Sequence, residues 1–256
     1  MLPVLFTIGA FNVYAFGIFL AMAFILSTFI VWKKAKAELK EEEYLDLYLQ
    51  ANIVALICAR ASYIIFHVQD FGLNILKYIL VREAPGLSLL SGLIGAFIFL
   101  AIYTKKKKIS LWHLLDLYSL AASFMLVFAK IGEQLGGATF GRPTKFPIGV
   151  GIVGKIGRFH PVELYEALFF LLMAIGFSFL YEKIQKNKWP DGLVFYLFVL
   201  GISISVLMLE FFKEYAVYLY GLSFRQWFAV ILIVVVAKPL FDRITNIRAM
   251  NRGIKI

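Results

Sequence analysis

The sequence predicts an all-α integral membrane protein of about seven transmembrane helices, with the N-terminus outside and the C-terminus cytoplasmic. Three observations predict it. The 256 residues are 61% hydrophobic and only 16% charged, and the mean hydropathy of +0.83 lies far outside the range of soluble domains. Apolar runs of about 20 residues, the length a bilayer requires, recur along the chain. Lysines and arginines sit in short blocks between those runs, which is a topology signal and not a nucleic-acid-binding face. Scarce charge excludes disorder, and one cysteine with three histidines excludes a disulfide scaffold or zinc finger.

Seven runs are marked: about 13–32, 47–66, 87–104, 111–130, 161–182, 192–212 and 224–241. The first, Val13 to Trp32, carries no charge and is followed at once by Lys33, Lys34 and Lys36. No small-residue cleavage site ends it, so it reads as a membrane helix and not a removable signal. The fourth holds Asp116 and ends at Lys130. The fifth opens at Pro161 with Glu163 and Glu166, and the sixth carries Ile202, Val206 and Glu210 at four-residue spacing, hence on one face. Connections 33–46, 105–109, 183–189 and 238–256 hold 16 of the 26 basic residues, and seven crossings put all four on one side, the cytoplasm. The loops near 67–86, 131–160 and 213–223 then lie outside. The chain reads as a single membrane domain, 1–256, without repeats.

The glycine-rich external loop, about 131–160, holds eight glycines and the charges Lys145, Lys155 and Arg158. A loop of this length usually has a binding or lid role, and any part at membrane depth must line protein or a water-filled cavity. Charges inside or at the ends of membrane helices cost about 2.5–3.5 kcal/mol at the centre unless partnered. Asp116 and Lys130 are expected to reach the interface from helix ends. Arg60, embedded in apolar sequence, and the pair Glu163 and Glu166, on one face of the fifth helix, are candidates for a site; carboxylates at a helix N-terminus are also favoured electrostatically.

The ordered set Gly86-Leu87-Ser88, Gly92-Leu93-Ile94-Gly95, Lys130-Ile131-Gly132 running to Gly141-Arg142-Pro143-Thr144, His160-Pro161-Val162-Glu163-Leu164-Tyr165-Glu166-Ala167 and Glu210-Phe211-Phe212-Lys213 resembles the bacterial prolipoprotein diacylglyceryl transferases. Tyr14, Ala59-Arg60 with Tyr63, and Ser223 with Gln226 look similar too. The resemblance spans nearly the whole chain and implies a seven-helix, N-outside protein of the bacterial cytoplasmic (inner) membrane. It implies transfer of the diacylglyceryl group of phosphatidylglycerol to a lipoprotein-precursor cysteine, with membrane phospholipid and the precursor as partners. Such chemistry needs a thiol near its thiolate form, an aligned glycerol carbon, and cations or amides for the departing glycerol phosphate. The charge pattern predicts no nucleic acid, and no ligand set accompanies the histidines, so no metal or cofactor is expected.

Departures from the family pattern fall on polar positions. Leu90 stands where the family has a histidine and Ser91 where it has a glycine; Lys130 replaces an arginine, Glu133 an asparagine and Ala138 a glutamate. Ile202 and Val206 replace a tyrosine and an arginine on the face that keeps Glu210. Lysine binds phosphate as a point charge and not as a bidentate fork, and leucine transfers no proton. The sequence therefore predicts a divergent transferase-like protein handling phosphatidylglycerol-like lipid, with Lys130, Glu133 and Glu210 as catalytic candidates. Tyr14, Arg60, Gly141, Arg142, Lys145, His160, Glu163, Tyr165 and Glu166 are the lipid-binding candidates. Glu133 adds negative charge near a phosphate unless Lys130, three residues earlier, neutralises it, and no cation is expected beside Glu210. On these grounds the chain is not expected to replace an authentic transferase. A non-catalytic phospholipid- or lipoprotein-binding relative is the alternative, and a small-solute transporter the third reading.

The remaining features read as structural. Ser88 with Gly92 and Ser91 with Gly95 form a close-packing face. His67 and His113 are expected to be interfacial and Cys58 an inert small hydrophobe, while Trp32, Trp112 and Trp189 belong to a cytoplasmic aromatic belt.

Overall fold

The structure, a computed structural model, describes residues 3–9, 11–71, 78, 86–137, 139–152, 154–214 and 219–251. Ala138 and most of the connection 67–86 lie outside the described residues. Seven long helices follow one another: α1 Ala15–Ala37, α2 Glu41–Phe66, α3 Leu89–Lys107, α4 Leu111–Gly136, α5 Val162–Asn187, α6 Leu193–Leu209 and α7 Phe224–Asn251. The first six, with α6 counted through Phe212, are long and apolar enough to cross a bilayer. The last begins apolar and ends charged, carrying Lys238, Asp242, Arg243 and Arg248 in its second half. Ile25, Leu56, Ile57, Leu93, Leu172 and Val234 all stand exposed on helix surfaces. Apolar exposure on this scale suits hydrocarbon and not water. The chain is a helical, multi-pass membrane protein.

Several helices run beyond their apolar cores. The first turn of α2 holds Glu41, Glu42 and Glu43, where the helix dipole favours carboxylates. Helix α4 continues six residues past Lys130. Helix α6 ends at Leu209 and tightens into a 3-10 turn, Glu210–Phe212; Glu210 still donates its N–H to the Val206 carbonyl and so stays one helical turn beyond Val206. Two small antiparallel ribbons accompany the helices, β1 Val4–Ile8 with β2 Phe11–Tyr14 ahead of α1, and β3 Val150–Gly151 with β4 Arg158–Phe159 between α4 and α5.

The chain forms two compact units, Val31–Leu114 and Met1–Ile30 with Leu115–Ile256. In the first, α2 packs along α3. A Cβ on Gly92 would stand 2.9 Å from the Ala55 carbonyl oxygen, and one on Gly95 would stand 2.7 Å from the Cys58 Cβ. The Ser91 hydroxyl lies 2.7 Å from that of Ser62 and 3.0 Å from that of Ser88. The small-residue stripe is thus a close-packed helix face. In the same unit His113 is buried, with Nε2 2.7 Å from Glu38, and not merely interfacial, while exposed His67 stacks on Tyr63 at 4.1 Å.

In the second unit α5 lies beside α6 and α6 beside α7. Asp116 does not reach out to an interface as expected. It is 1% exposed and accepts the backbone N–H groups of Gly192 at 2.6 Å and Phe195 at 2.8 Å, satisfying donors that the start of α6 would otherwise bury unpaired. Arg243 secures the same corner by donating to the Asp191 carbonyl at 2.8 Å and covering the Tyr196 ring at 4.6 Å.

Candidate functional site

The extension of α4 past Lys130 turns a three-residue spacing into an ion pair: Lys130 Nζ stands 2.6 Å from Glu133 Oε2. Lys130 also reaches α5, where Glu166 Oε2 lies 2.9 Å away. The other oxygen of Glu166 meets Lys213 Nζ at 2.6 Å, and Lys213 lies 3.8 Å from Glu163 Oε1. The Thr139 hydroxyl donates to that same Glu163 oxygen. Glu133, Lys130, Glu166, Lys213, Glu163 and Thr139 therefore form one continuous chain of contacts. Its interior is buried: Glu163 is fully buried, and Glu166 and Lys213 are each 4% exposed. Buried charges persist only when paired and hydrogen-bonded. Alternation of cation and carboxylate supplies that here. Lys130 thus does not extend to the interface as the sequence suggests but bridges two carboxylates.

The glycine-rich segment positions Lys213. Residues 141–144 form a ladder between two other segments: Arg142 donates its N–H to the Phe212 carbonyl at 2.7 Å and its Nε to the Lys213 carbonyl at 3.3 Å. On the other side the His160 N–H donates to the Arg142 carbonyl at 3.1 Å, and the Thr144 N–H to the Arg158 carbonyl at 2.8 Å. At Gly141 an added Cβ would press into the His160 carbonyl and the Val162 side chain, so this crossing admits no side chain. The 3-10 turn before Lys213 swings its ammonium towards α5.

A cavity of ≈ 710 Å³ opens beside the chain of charges. Lys130, Glu133, Thr139, Lys213 and Arg225 furnish polar wall, and Pro3, Tyr14, Phe16, Gly17 and Gly136 the remainder. The close approach of α1 to α4 sets its apolar side, since a Cβ on Gly132 would stand 2.7 Å from the Phe19 Cβ. A second, apolar hollow of ≈ 350 Å³ follows along the same helices, lined by Met22, Ile25, Leu26, Phe29 and Phe128. A cationic wall that continues into apolar surface can accept an amphipathic anion.

Of the residues the sequence singles out, Lys130, Glu133, Glu163 and Glu166 converge in the chain, and Tyr14 lines the cavity. Gly141 and Arg142 belong to the ladder, and Lys145 is exposed in the same loop. His160 and Tyr165 form an aromatic cluster with Phe212, the His160 ring centroid 5.1 Å from Phe212 and Nδ1 3.3 Å from the Tyr165 hydroxyl. Glu210, 1% exposed, meets the Ser223 hydroxyl at 3.2 Å, and Gln226 accepts the Ser223 N–H at 2.8 Å. Arg60 belongs to the Val31–Leu114 unit. There its guanidinium donates to the Tyr78 carbonyl at 3.1 Å and the Gly86 carbonyl at 3.0 Å, and lies 5.0 Å from the Phe71 ring. Sequence reasoning missed Lys213, Thr139 and Arg225 as site residues. Lys213 stood at the end of a quoted motif and Thr139 one position after a marked departure, so weak signals existed for both. Among the described residues no three His, Cys, Asp or Glu side chains gather as a metal site.

Fold and site together define a polytopic membrane protein with a buried lysine–glutamate centre beside a cavity suited to an anionic amphiphile. The sequence model of the prolipoprotein diacylglyceryl transferases matches residues 3–241, and the chain belongs to that family. Similar relatives carry the name phosphatidylglycerol–prolipoprotein diacylglyceryl transferase. One from Clostridioides difficile is 30% identical over 208 residues, 81% of each chain. One from Geobacter sulfurreducens is 30% identical over 223 residues, 83% of this chain and 82% of the relative. A third, from Rhizobium meliloti, is 30% identical over 228 residues, 83% and 79% of the two chains.

Proposed function

We propose that the chain transfers the diacylglyceryl group of phosphatidylglycerol to the cysteine thiol of a lipoprotein precursor, at the outer face of the bacterial cytoplasmic membrane, through a polar centre of its own composition. One observation carries the reading: Lys130, Lys213 and Arg225 share the wall of one cavity with Tyr14 and Phe16. In that setting the cations hold the lipid phosphate and stabilise the glycerol phosphate as it departs, an electrostatic task strengthened by low dielectric. Glu166 fixes both ammonium groups by pairing with each, which keeps them in place before substrate arrives. One objection drawn from the sequence loses force. Lys130 neutralises Glu133 directly, and Lys213 adds a second cation to the cavity wall, although it pairs with Glu166 and not with Glu210.

Expression in a bacterium depleted of its own transferase tests the proposal, with acceptor lipidation read by mass spectrometry. Rescue with a diacylglyceryl-modified acceptor is the expected result. No rescue, with phosphatidylglycerol still bound to the purified protein in native mass spectra, makes it a non-catalytic lipid-binding relative. The same reading puts the N-terminus outside and the C-terminus in the cytoplasm. Reporter fusions after Lys36, Lys107 and Lys186 should then read cytoplasmic and those near Asn74, Gly149 and Glu214 external; an external signal at Lys107 breaks the topology.

A further inference from the structure

Transfer to sulfur requires that the acceptor thiol lose its proton, because the thiolate is the nucleophile. Two carboxylates near the cavity are held in direct ion pairs: Glu133 by Lys130 at 2.6 Å, and Glu166 by Lys130 at 2.9 Å and Lys213 at 2.6 Å. Glu163 differs. Its nearest cation, Lys213, stands at 3.8 Å, its Oε1 accepts the Thr139 hydroxyl, and its fully buried Oε2 has no hydrogen-bond partner among the described residues. Glu210 has no cation partner among the described residues, but its hydroxyl contact is Ser223, which is not on the cavity wall. Thr139 is on that wall, so a hydroxyl connects the cavity to the carboxylate of the lysine–glutamate chain that is least engaged by charge.

We propose that Thr139 and Glu163 form a proton relay for the acceptor thiol, an inference that rests on the transferase reading above. The thiol proton passes to Thr139 Oγ1 as the Thr139 hydroxyl proton passes to Glu163 Oε1. The sulfur lone pair forms the S–C bond to the glycerol carbon, and the C–O bond to the phosphate breaks with its electron pair leaving on the glycerol phosphate. Threonine ends each transfer unchanged, and Glu163 holds one proton, which returns through Thr139 to the released phosphate or to water before the next turnover. A hydroxyl suits this relay because it accepts and donates at once. Thr139 touches the acceptor, and Glu163 acts through it.

The test uses the full-length protein in detergent or vesicles with phosphatidylglycerol and a lipobox peptide. Glu163→Gln keeps the shape and removes the proton acceptor; Thr139→Val removes the hydroxyl and Thr139→Ser keeps it. General-base contributions are typically 10²–10⁴-fold, so E163Q and T139V should each lower kcat by about 10²-fold or more with little change in KM for the lipid. T139S should retain most activity. Raising the pH towards the ordinary thiol pKa of about 8.5 should recover much of the loss in E163Q and T139V, because the thiolate then forms without help. If E163Q does not fold, the T139V and T139S pair decides alone. Equal activity of those two, a loss that no pH relieves, or a loss confined to KM overturns the relay and leaves a structural tie. A wild-type protein that transfers nothing overturns the transferase reading and the relay with it, whereas active wild type with fully active E163Q overturns the relay only.

Discussion

The two compact units bury polar groups by opposite means. In Val31–Leu114, Arg60 is satisfied by backbone carbonyls and an aromatic face, and serine hydroxyls pair between helices that small residues allow to touch. In the other unit, two lysines and three glutamates share one chain of ion pairs that is buried at Glu163, Glu166 and Lys213. The first arrangement meets the charge of Arg60 with neutral backbone carbonyls and an aromatic ring. The second keeps charges that are costly in a bilayer and sets three of them, Lys130, Glu133 and Lys213, on a cavity wall, which is the arrangement expected where charge has to be moved or stabilised.

Breaking the charged chain should have the largest effect. Lys213→Met leaves Glu166 with one ammonium and Glu163 with none, and removal of one partner from a buried pair costs about 3–5 kcal/mol. Thermal unfolding in detergent measures that loss, and lipid transfer should disappear with it. Arg60→Leu is the matching change in the other unit. It leaves two carbonyl acceptors short of a donor, at about 1–3 kcal/mol, yet phosphatidylglycerol retention in native mass spectra should not change. Lipid lost from R60L would place that arginine in the site after all, as the sequence suggested. Asp116→Ala removes the acceptor for two N–H groups of α6 and should cost about 0.5–2 kcal/mol, the range of lost helix caps, with transfer retained at permissive temperature. The smallest effect belongs to Lys155→Ala in the glycine-rich loop. It removes an ammonium lying 3.3 Å from the Phe140 ring centroid, worth about 0.5–1 kcal/mol, and should leave transfer within twofold.

What could be read from the sequence was local. Seven apolar runs became seven helices because length and hydropathy govern membrane helices almost alone. The Lys130–Glu133 pair followed from a three-residue spacing once the helix continued, and the Gly92 and Gly95 face from small-residue periodicity. What escaped depends on partners remote in sequence. Asp116 finds its donors 76 and 79 residues away, so nothing near it marked a cap. Lys213 meets Glu166 across 47 residues, and its direction is set by a 3-10 turn and a strand-like ladder that hydropathy does not report. The ribbon Val4–Tyr14 was invisible for another reason: Leu5 and Phe6 are exposed, and an apolar strand outside a core shows no alternation of faces.

The central claim is that the lysine–glutamate centre works on phosphatidylglycerol and a thiol, and a reconstituted reaction tests it most directly. Purified protein in vesicles, given phosphatidylglycerol and a synthetic lipobox peptide, should yield a peptide heavier by one diacylglyceryl group together with an equal amount of released glycerol phosphate. K213M should yield neither. Unmodified peptide from wild-type protein that demonstrably holds phosphatidylglycerol would contradict the account.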